Sequence, residues 1–309
     1  MLWLSLFVVL ALAAGVTFSA VYLADQLTRA KRHRVQGTPS DVGLQYEEVQ
    51  FLTADRLTLR GWFMESPGSR ANIVMVHDLE ATRADHELGL LRLQRDYVRR
   101  GYSVFAFDLR GHGESAGRRD SLGRDERLDV LAAVAYVRRR VPANQPVLLH
   151  GFGFGASLSV AAAARSTDVT AVIADSAFLT MRDYLRLRWR HVPRQLLSVA
   201  TYLARRLYGG DARVLEPVQS IAQVTAPVLL IHNEGDDVVP VAHALNLAAA
   251  SLDGRDQVWI VPDLDGHATA YRDQPDAYLR RCTQFAAEVT PARAISAQAE
   301  RMLAAAQAG

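Results

Sequence analysis

Residues 147–157 read VLLHGFGFGAS: an apolar run, glycines at the alternate positions 151, 153 and 155, then small residues continuing as ASLSVAAAAR. An apolar strand that breaks into a tight glycine turn and re-forms as a helix is a strand–elbow–helix unit. The same rhythm extends outward on both sides. ANIVMVH (71–77), YSVFAFD (102–108), TAVIADS (170–176), APVLLIH (226–232) and QVWIVPD (257–263) alternate with helical stretches. Continuous apolar runs separated by helices predict a mostly parallel sheet covered on both faces. Right-handed crossovers then make the domain doubly wound. Upstream, LQYEEVQFLT (44–53) and LTLRGWFMES (57–66) read as a hairpin turning at Ala54, Asp55 and Arg56.

The chain has 309 residues, of which 50% are hydrophobic and 22% charged, so one large α/β domain with a sizeable core is expected. A net charge of +2 gives no basis for nucleic acid as a partner. The single cysteine, Cys282, excludes an internal disulfide and reads as a small core residue. No His/Asp/Glu set has ligand spacing, so neither metal nor cofactor is expected.

Residues 1–24, MLWLSLFVVLALAAGVTFSAVYLA, carry no charge. About 24 residues suffice to cross a hydrocarbon core of about 30 Å as a helix. No basic stretch precedes the run and no small-x-small cleavage site follows it, which favours an uncleaved anchor with the lipid bilayer as its partner. Arg29, Lys31, Arg32 and Arg34 follow, and they predict a single-pass topology with the domain in the cytoplasm. Residues 25–44 then read as a basic juxtamembrane linker, 45–288 as the α/β domain, and 289–309 as an Ala-rich helical tail. About fifty residues separate the strand ending near Asp175 from the one starting at Ala226, too many for an ordinary connection. The insertion, about 178–222, reads as a helical cap. Its arginines (Arg182, Arg186, Arg188, Arg190, Arg194, Arg205, Arg206) read as a solvated face, with anionic headgroups as the second reading.

In a parallel sheet the site lies beyond the carboxyl ends of the strands. There the sequence places Asp108-Leu109-Arg110-Gly111-His112-Gly113-Glu114-Ser115, the glycine elbow at Gly153, Asp236 before Val238-Val239-Pro240, and Gly266-His267. Four such motifs in this order resemble the α/β-hydrolase superfamily over roughly residues 45–288. They are most similar to its serine-aminopeptidase-like and BEM46-like branch, whose members are often anchored by an N-terminal helix.

The resemblance implies that Asp236 is the acid and His267 the base of a catalytic triad, with the nucleophile position falling on Gly153. Glycine has no group to attack with, and the N-myc-downregulated-gene family is similar in carrying glycine there. The resemblance also puts His77, Asp78, Leu79, Phe152, Phe154 and Asp175 around the oxyanion and ligand region. Asp78 stands where glycine is usual, and its charge opposes a transition state whose donors are worth about 3–4 kcal/mol each. Asn233 is a third departure, again where glycine is usual. Asp108, Arg110, Gly111, His112, Gly113 and Ser115 read as a structural loop, Asp175 as a turn cap, and Ser157 as lying too deep in its helix to attack. Ser115 and Ser176 lie at strand ends but on no elbow.

The expected function is a membrane-anchored, catalytically impaired hydrolase relative that binds a small apolar or acyl ligand, or a protein, under its cap. The alternatives are an active ester or amide hydrolase using another serine or water, and a non-enzymatic membrane-side scaffold. On the sequence alone, Gly153→Ser is expected to restore labelling by a serine-directed probe. The oligomeric state is left open.

Overall fold

The computed structural model describes residues 2–290. The tail expected over 289–309 lies outside these residues beyond Thr290. Strands β1 (Glu47–Leu52) and β2 (Thr58–Met64) form the expected hairpin, with Glu47 opposite Phe63 and Leu52 opposite Thr58. In β1 only Val49 and Phe51 are buried, an alternation that marks an edge strand with one wet face. β2 pairs antiparallel with β4 (Ser103–Phe107), which lies beside β3 (Asn72–Val76). From there every pairing is parallel through β5 (Val147–Phe152), β6 (Ala171–Asp175), β7 (Val228–Gly235) and β8 (Gln257–Asp265), in the order β1-β2-β4-β3-β5-β6-β7-β8. The central strands β3 to β6 are buried at every residue because helices cover both faces. Alternate strand residues feed two separate cores: Val74, Phe105, Leu149 and Val172 on one side, Ile73, Val104, Leu148 and Ile173 on the other.

The helices are α1 (Leu2–Thr28), α2 (Leu90–Arg99), α3 (Glu126–Arg140), α4 (Phe154–Ala163), α5 (Met181–Arg188), α6 (Arg194–Leu203), α7 (Pro217–Ile221), α8 (Ala242–Ala250), α9 (Ala270–Asp273) and α10 (Pro275–Val289). Helices α5, α6, a single π turn over Ala204–Tyr208 and α7 fall in the insertion between β6 and β7.

Helix α1 is long and apolar enough over Trp3–Thr28 to cross a membrane, and is a candidate span. Its first part is exposed, with Trp3 at 82% and Phe18 at 73%, whereas Ala20, Leu23, Ala24 and Leu27 are buried, and α1 packs on α6 and the π turn. Two expectations are corrected by this docking. The helix does not stop at residue 24, because its last turns have an apolar stripe to bury against the cap. Residues 25–44 are not a free linker either, because their basic groups find partners on the domain. Asp25 pairs with Arg29 and Arg119, both at 2.8 Å; Lys31 pairs with Glu80 at 3.0 Å. Arg32 donates to the carbonyls of Gly113 and Gly117 at 2.7 and 2.8 Å. A chain beginning at residue 36 therefore loses buried Leu23 and Leu27, worth about 2 kcal/mol each. Its thermal midpoint is expected to fall well below that of a chain beginning at residue 18; equal midpoints would show the docking to be unimportant.

Candidate functional site

β5 ends at Phe152 and α4 begins at Phe154, so Gly153 makes the whole turn, with φ 50° and ψ −109°. L side chains rarely adopt such a backbone. The neighbouring glycines are needed for a different reason, close approach. A Cβ on Gly151 would press on the Gly155 carbonyl and the Ala156 nitrogen, and one on Gly155 on the Val76 and His77 carbonyls. The alternate spacing seen in the sequence is thus what lets α4 turn back against β3.

Asp236 lies on the loop after β7. Its Oδ1 accepts from the backbone N–H groups of Val238 and Val239 at 2.9 and 2.8 Å, and its Oδ2 lies 2.7 Å from His267 Nδ1. His267 follows β8, and two side chains brace its loop. Ser176 Oγ accepts from Ala268 N at 3.1 Å, and Asn233 Nδ2 donates to the Gly266 carbonyl at 2.7 Å and to Thr269 Oγ1 at 3.0 Å. Asn233, read from sequence as a sign of relaxed chemistry, is instead a staple holding β7 to the histidine loop.

The opposite wall comes from the turn after β3. Asp78 Oδ1 accepts from Leu79 N at 2.7 Å and from Phe154 N at 2.6 Å, and its Oδ2 lies 3.4 Å from His267 Nε2. In a strand–nucleophile–helix elbow, the N–H after the nucleophile and one from the loop after the third strand form the oxyanion hole. In this chain those donors are Phe154 and Leu79, and one aspartate carboxylate holds both. The carboxylate thus covers the two N–H groups that an elbow of this kind would offer to a developing negative charge.

His267 consequently stands between two carboxylates, with side-chain exposures of 12% for His267, 15% for Asp78 and 0% for Asp236. Burial alone would drive the imidazole neutral, but Asp236 and Asp78 outweigh it and raise His267 to about 10. Burial works likewise against the Asp78 charge, and His267 with the two N–H groups reverses it, holding Asp78 below its usual range. Raised this far, the ring keeps both protons at neutral pH, with Nδ1 hydrogen-bonded to Asp236 and Nε2 held only by the charge of Asp78 at 3.4 Å, and an imidazolium cannot take a proton from a nucleophile.

The remaining expected residues fall in place around this centre. Ser157 donates to the Gly153 carbonyl at 3.2 Å and accepts from Phe178 N at 3.1 Å. Ser115 donates to the Asp108 carbonyl at 2.6 Å and accepts from Arg60 N at 2.9 Å. Both are buried and committed to the backbone. Ser176 is buried too, and donates to Asp175 Oδ1 at 3.1 Å. Asp175 lies wholly beneath the elbow, where Tyr278 donates to it at 2.8 Å and burial raises its carboxyl to about 7. It faces no ligand space, which corrects its place in the ligand region. Phe152 is corrected in the same way, since it is buried and stacks on His150.

His77 is neutral and structural: burial, with His112 beside it, pushes it down to about 4. Its Nε2 accepts from Leu109 N at 3.0 Å, so Nδ1 carries the proton, facing the Asp78 carbonyl at 2.7 Å. Asp108 holds Arg83, Arg110 bridges Asp129 and Asp55, and His112 accepts from Glu80 N at 3.2 Å. Gly111 packs on Ala30 and Gly113 on Asp108, each too tightly for a Cβ.

Sequence reasoning expected a helical cap but missed the ion pairs that clasp it over the site. Glu80, beside the oxyanion donor Leu79, pairs with both Lys31 and Arg188, at 3.0 and 2.7 Å. Arg188 is therefore a clasp and not part of a solvated face; a partner 108 positions away leaves no local signal. The cavity touching Leu79 and Phe154, closed by Leu27, Leu185 and Trp189, holds only about 30 Å³. That is room for about one water molecule. Among the described residues no group of three or more His, Cys, Asp or Glu is arranged to hold a metal ion.

Known proteins share much of this chain's sequence pattern. The family model described as serine aminopeptidase, S33, matches residues 68–216. The protein YfhR of Escherichia coli strain K12 is 27% identical over 245 residues, covering 74% of this chain and 78% of that one. Protein bem46 of Schizosaccharomyces pombe is 24% identical over 208 residues, covering 66% and 64%. Among solved structures, an esterase of Pyrococcus furiosus superposes with a TM-score of 0.71 at 22% identity, covering 85% of this chain and 99% of that one. The likeness to the esterase identifies the fold alone.

Proposed function

From an α/β-hydrolase-fold chain similar to the S33 aminopeptidase and BEM46-like proteins, we propose a catalytically silent member that serves as a membrane-tethered scaffold. One observation carries the reading: the Asp78 carboxylate accepts from both Leu79 and Phe154 and pairs with His267. With Gly153 at the elbow, the nucleophile is absent, the oxyanion donors are taken and the base is protonated. Three separate requirements of acyl transfer are unmet. The alternative of a His267-activated water needs a neutral ring nitrogen, and the two flanking carboxylates oppose it.

The cavity beside Leu79 and Phe154, about 30 Å³, is small against ligand pockets of several hundred Å³, which favours a scaffold over an acyl chain bound at that point. Insertion of α1 in a bilayer, with the domain on the cytoplasmic side, is part of the proposal. The orientation rests on Arg29, Lys31, Arg32 and Arg34. The pairing of Lys31 with Glu80 does not cancel it, because acidic residues count little in that rule.

Exposure of the full-length native chain to a fluorophosphonate probe, alongside turnover of short-chain esters, tests the silence. No label and no turnover above buffer are expected. A native chain that labels, and loses the label on His267→Ala, would overturn the reading and point to another serine.

A further inference from the structure

We propose that the cap helix α6 and the π turn after it form a second membrane contact, lying in the headgroup–acyl boundary beside α1. The inference rests on the reading of α1 as a span and adds a surface to it. Leu197 and Ala200 on α6, with Ala204 at the start of the π turn, face inward and are buried. The other side is apolar where water would be expected, with Val199 at 47%, Tyr202 at 55% and Leu207 at 55% exposure. Tyr202 and Leu207 are five residues apart, the hydrogen-bonding interval of a π turn, so the wide turn keeps Leu207 on the side of Tyr202.

This face continues the exposed apolar surface of α1, against which α6 packs and where Phe18 and Tyr22 are also exposed. A helix packed on a candidate span lies close to where that span leaves the leaflet.

Charge selects the occupant. Arg182, Arg186 and Arg188 on α5 are neutralised by Glu216, Asp183 and Glu80. Around the apolar face the pattern changes: among the described residues Arg190, Arg194 and Arg206 have no carboxylate partner, while Arg205 lies over the Tyr202 ring with Asp211 as a nearby counter-charge. An apolar strip with an aromatic residue, rimmed by cations lacking internal counter-charge, is complementary to an anionic lipid surface. Three apolar side chains are a small patch for a stable protein interface.

The test uses the full-length chain in phosphatidylcholine nanodiscs, with and without phosphatidylglycerol. An environment-sensitive fluorophore is placed by Phe18→Cys, Val199→Cys, Leu207→Cys or Leu252→Cys, and a nitroxide is carried on lipid near the headgroup. Cys282 is fully buried and its thiol pushed up, so the unsubstituted chain serves as the blank. Quenching of about twofold is expected at 18, 199 and 207 but not at 252, stronger at 199 and 207 in the anionic discs. Arg190→Gln, Arg194→Gln and Arg206→Gln together should remove the anionic increment. Quenching at 18 but not at 199 and 207 would leave the anchor intact and overturn the cap contact. No quenching at 18 would reject the anchor and the contact with it. Self-quenching between copies at 199, insensitive to nitroxide, would assign the face to a second copy and also overturn the inference.

Discussion

Asp78→Gly combined with Gly153→Ser is expected to raise fluorophosphonate labelling by about three orders of magnitude over the native chain, while Gly153→Ser alone leaves it unchanged. The single change fails for a steric reason. A Cβ built on Gly153 finds its three nearest atoms in the Asp78 carboxylate, the farthest of them, Oδ2, at 2.6 Å. The serine must also take a backbone with φ 50°, a strain on the order of 1–3 kcal/mol. Gly153→Ser should therefore destabilise the chain, either expelling Asp78 from the Leu79 and Phe154 N–H groups or leaving the hydroxyl misdirected. Removing the Asp78 side chain clears the obstruction, frees both donors and leaves His267 with Asp236 alone, which returns it toward a usable base. Labelling of the double variant and its loss on adding His267→Ala would show a site complete except for two residues. No labelling in a folded double variant would mean that the cover over the site, and not these two positions, keeps it silent.

His267→Ala is expected to cost about 3–5 kcal/mol in urea unfolding of the full-length chain, the usual effect of removing one partner from a buried ion pair. It leaves Asp78 and Asp236 with no cation between them. Adding Asp78→Asn, which keeps an oxygen acceptor for Leu79 and Phe154, is expected to recover part of the loss. The pH profile gives the same information. His267 rises from 6.5 to about 10, so its contribution is complete below about 6.5 and disappears as pH rises through about 10. Asp78 is lowered from 3.8, so its contribution is present above that value and disappears as pH falls below it. Native stability should thus decline on the alkaline side toward pH 10, and the His267→Ala chain should lack that decline. Identical alkaline profiles would mean that His267 is not the cation holding the two carboxylates together.

Much of the architecture was legible because it rests on local pattern. The continuous runs at 72–76 and 147–152 can be buried on both faces only in a covered parallel sheet, and the glycines at 151, 153 and 155 meet steric demands within one turn. The pairing of Asp236 with His267 was implied by the resemblance of the strand-end motifs to the α/β-hydrolase superfamily, and the structure brings the two together at 2.7 Å. What stayed hidden is contact between distant segments. That Asp78 reaches Phe154 N, 76 positions away, depends on the separation of two turns, which no spacing encodes. The docking of Lys31 and the clasp of Arg188 on Glu80 are hidden for the same reason: charges read singly look solvated until the fold supplies a partner.

The contact between positions 78 and 153 also has a historical meaning. A serine arriving at 153 meets a carboxylate, and a glycine arriving at 78 strips His267 of a partner while the elbow still has no hydroxyl. Each route back to a working nucleophile begins with a step that costs stability and returns no activity. Under the proposed reading the two positions are coupled, and a serine at 153 becomes useful only through a paired change at 78.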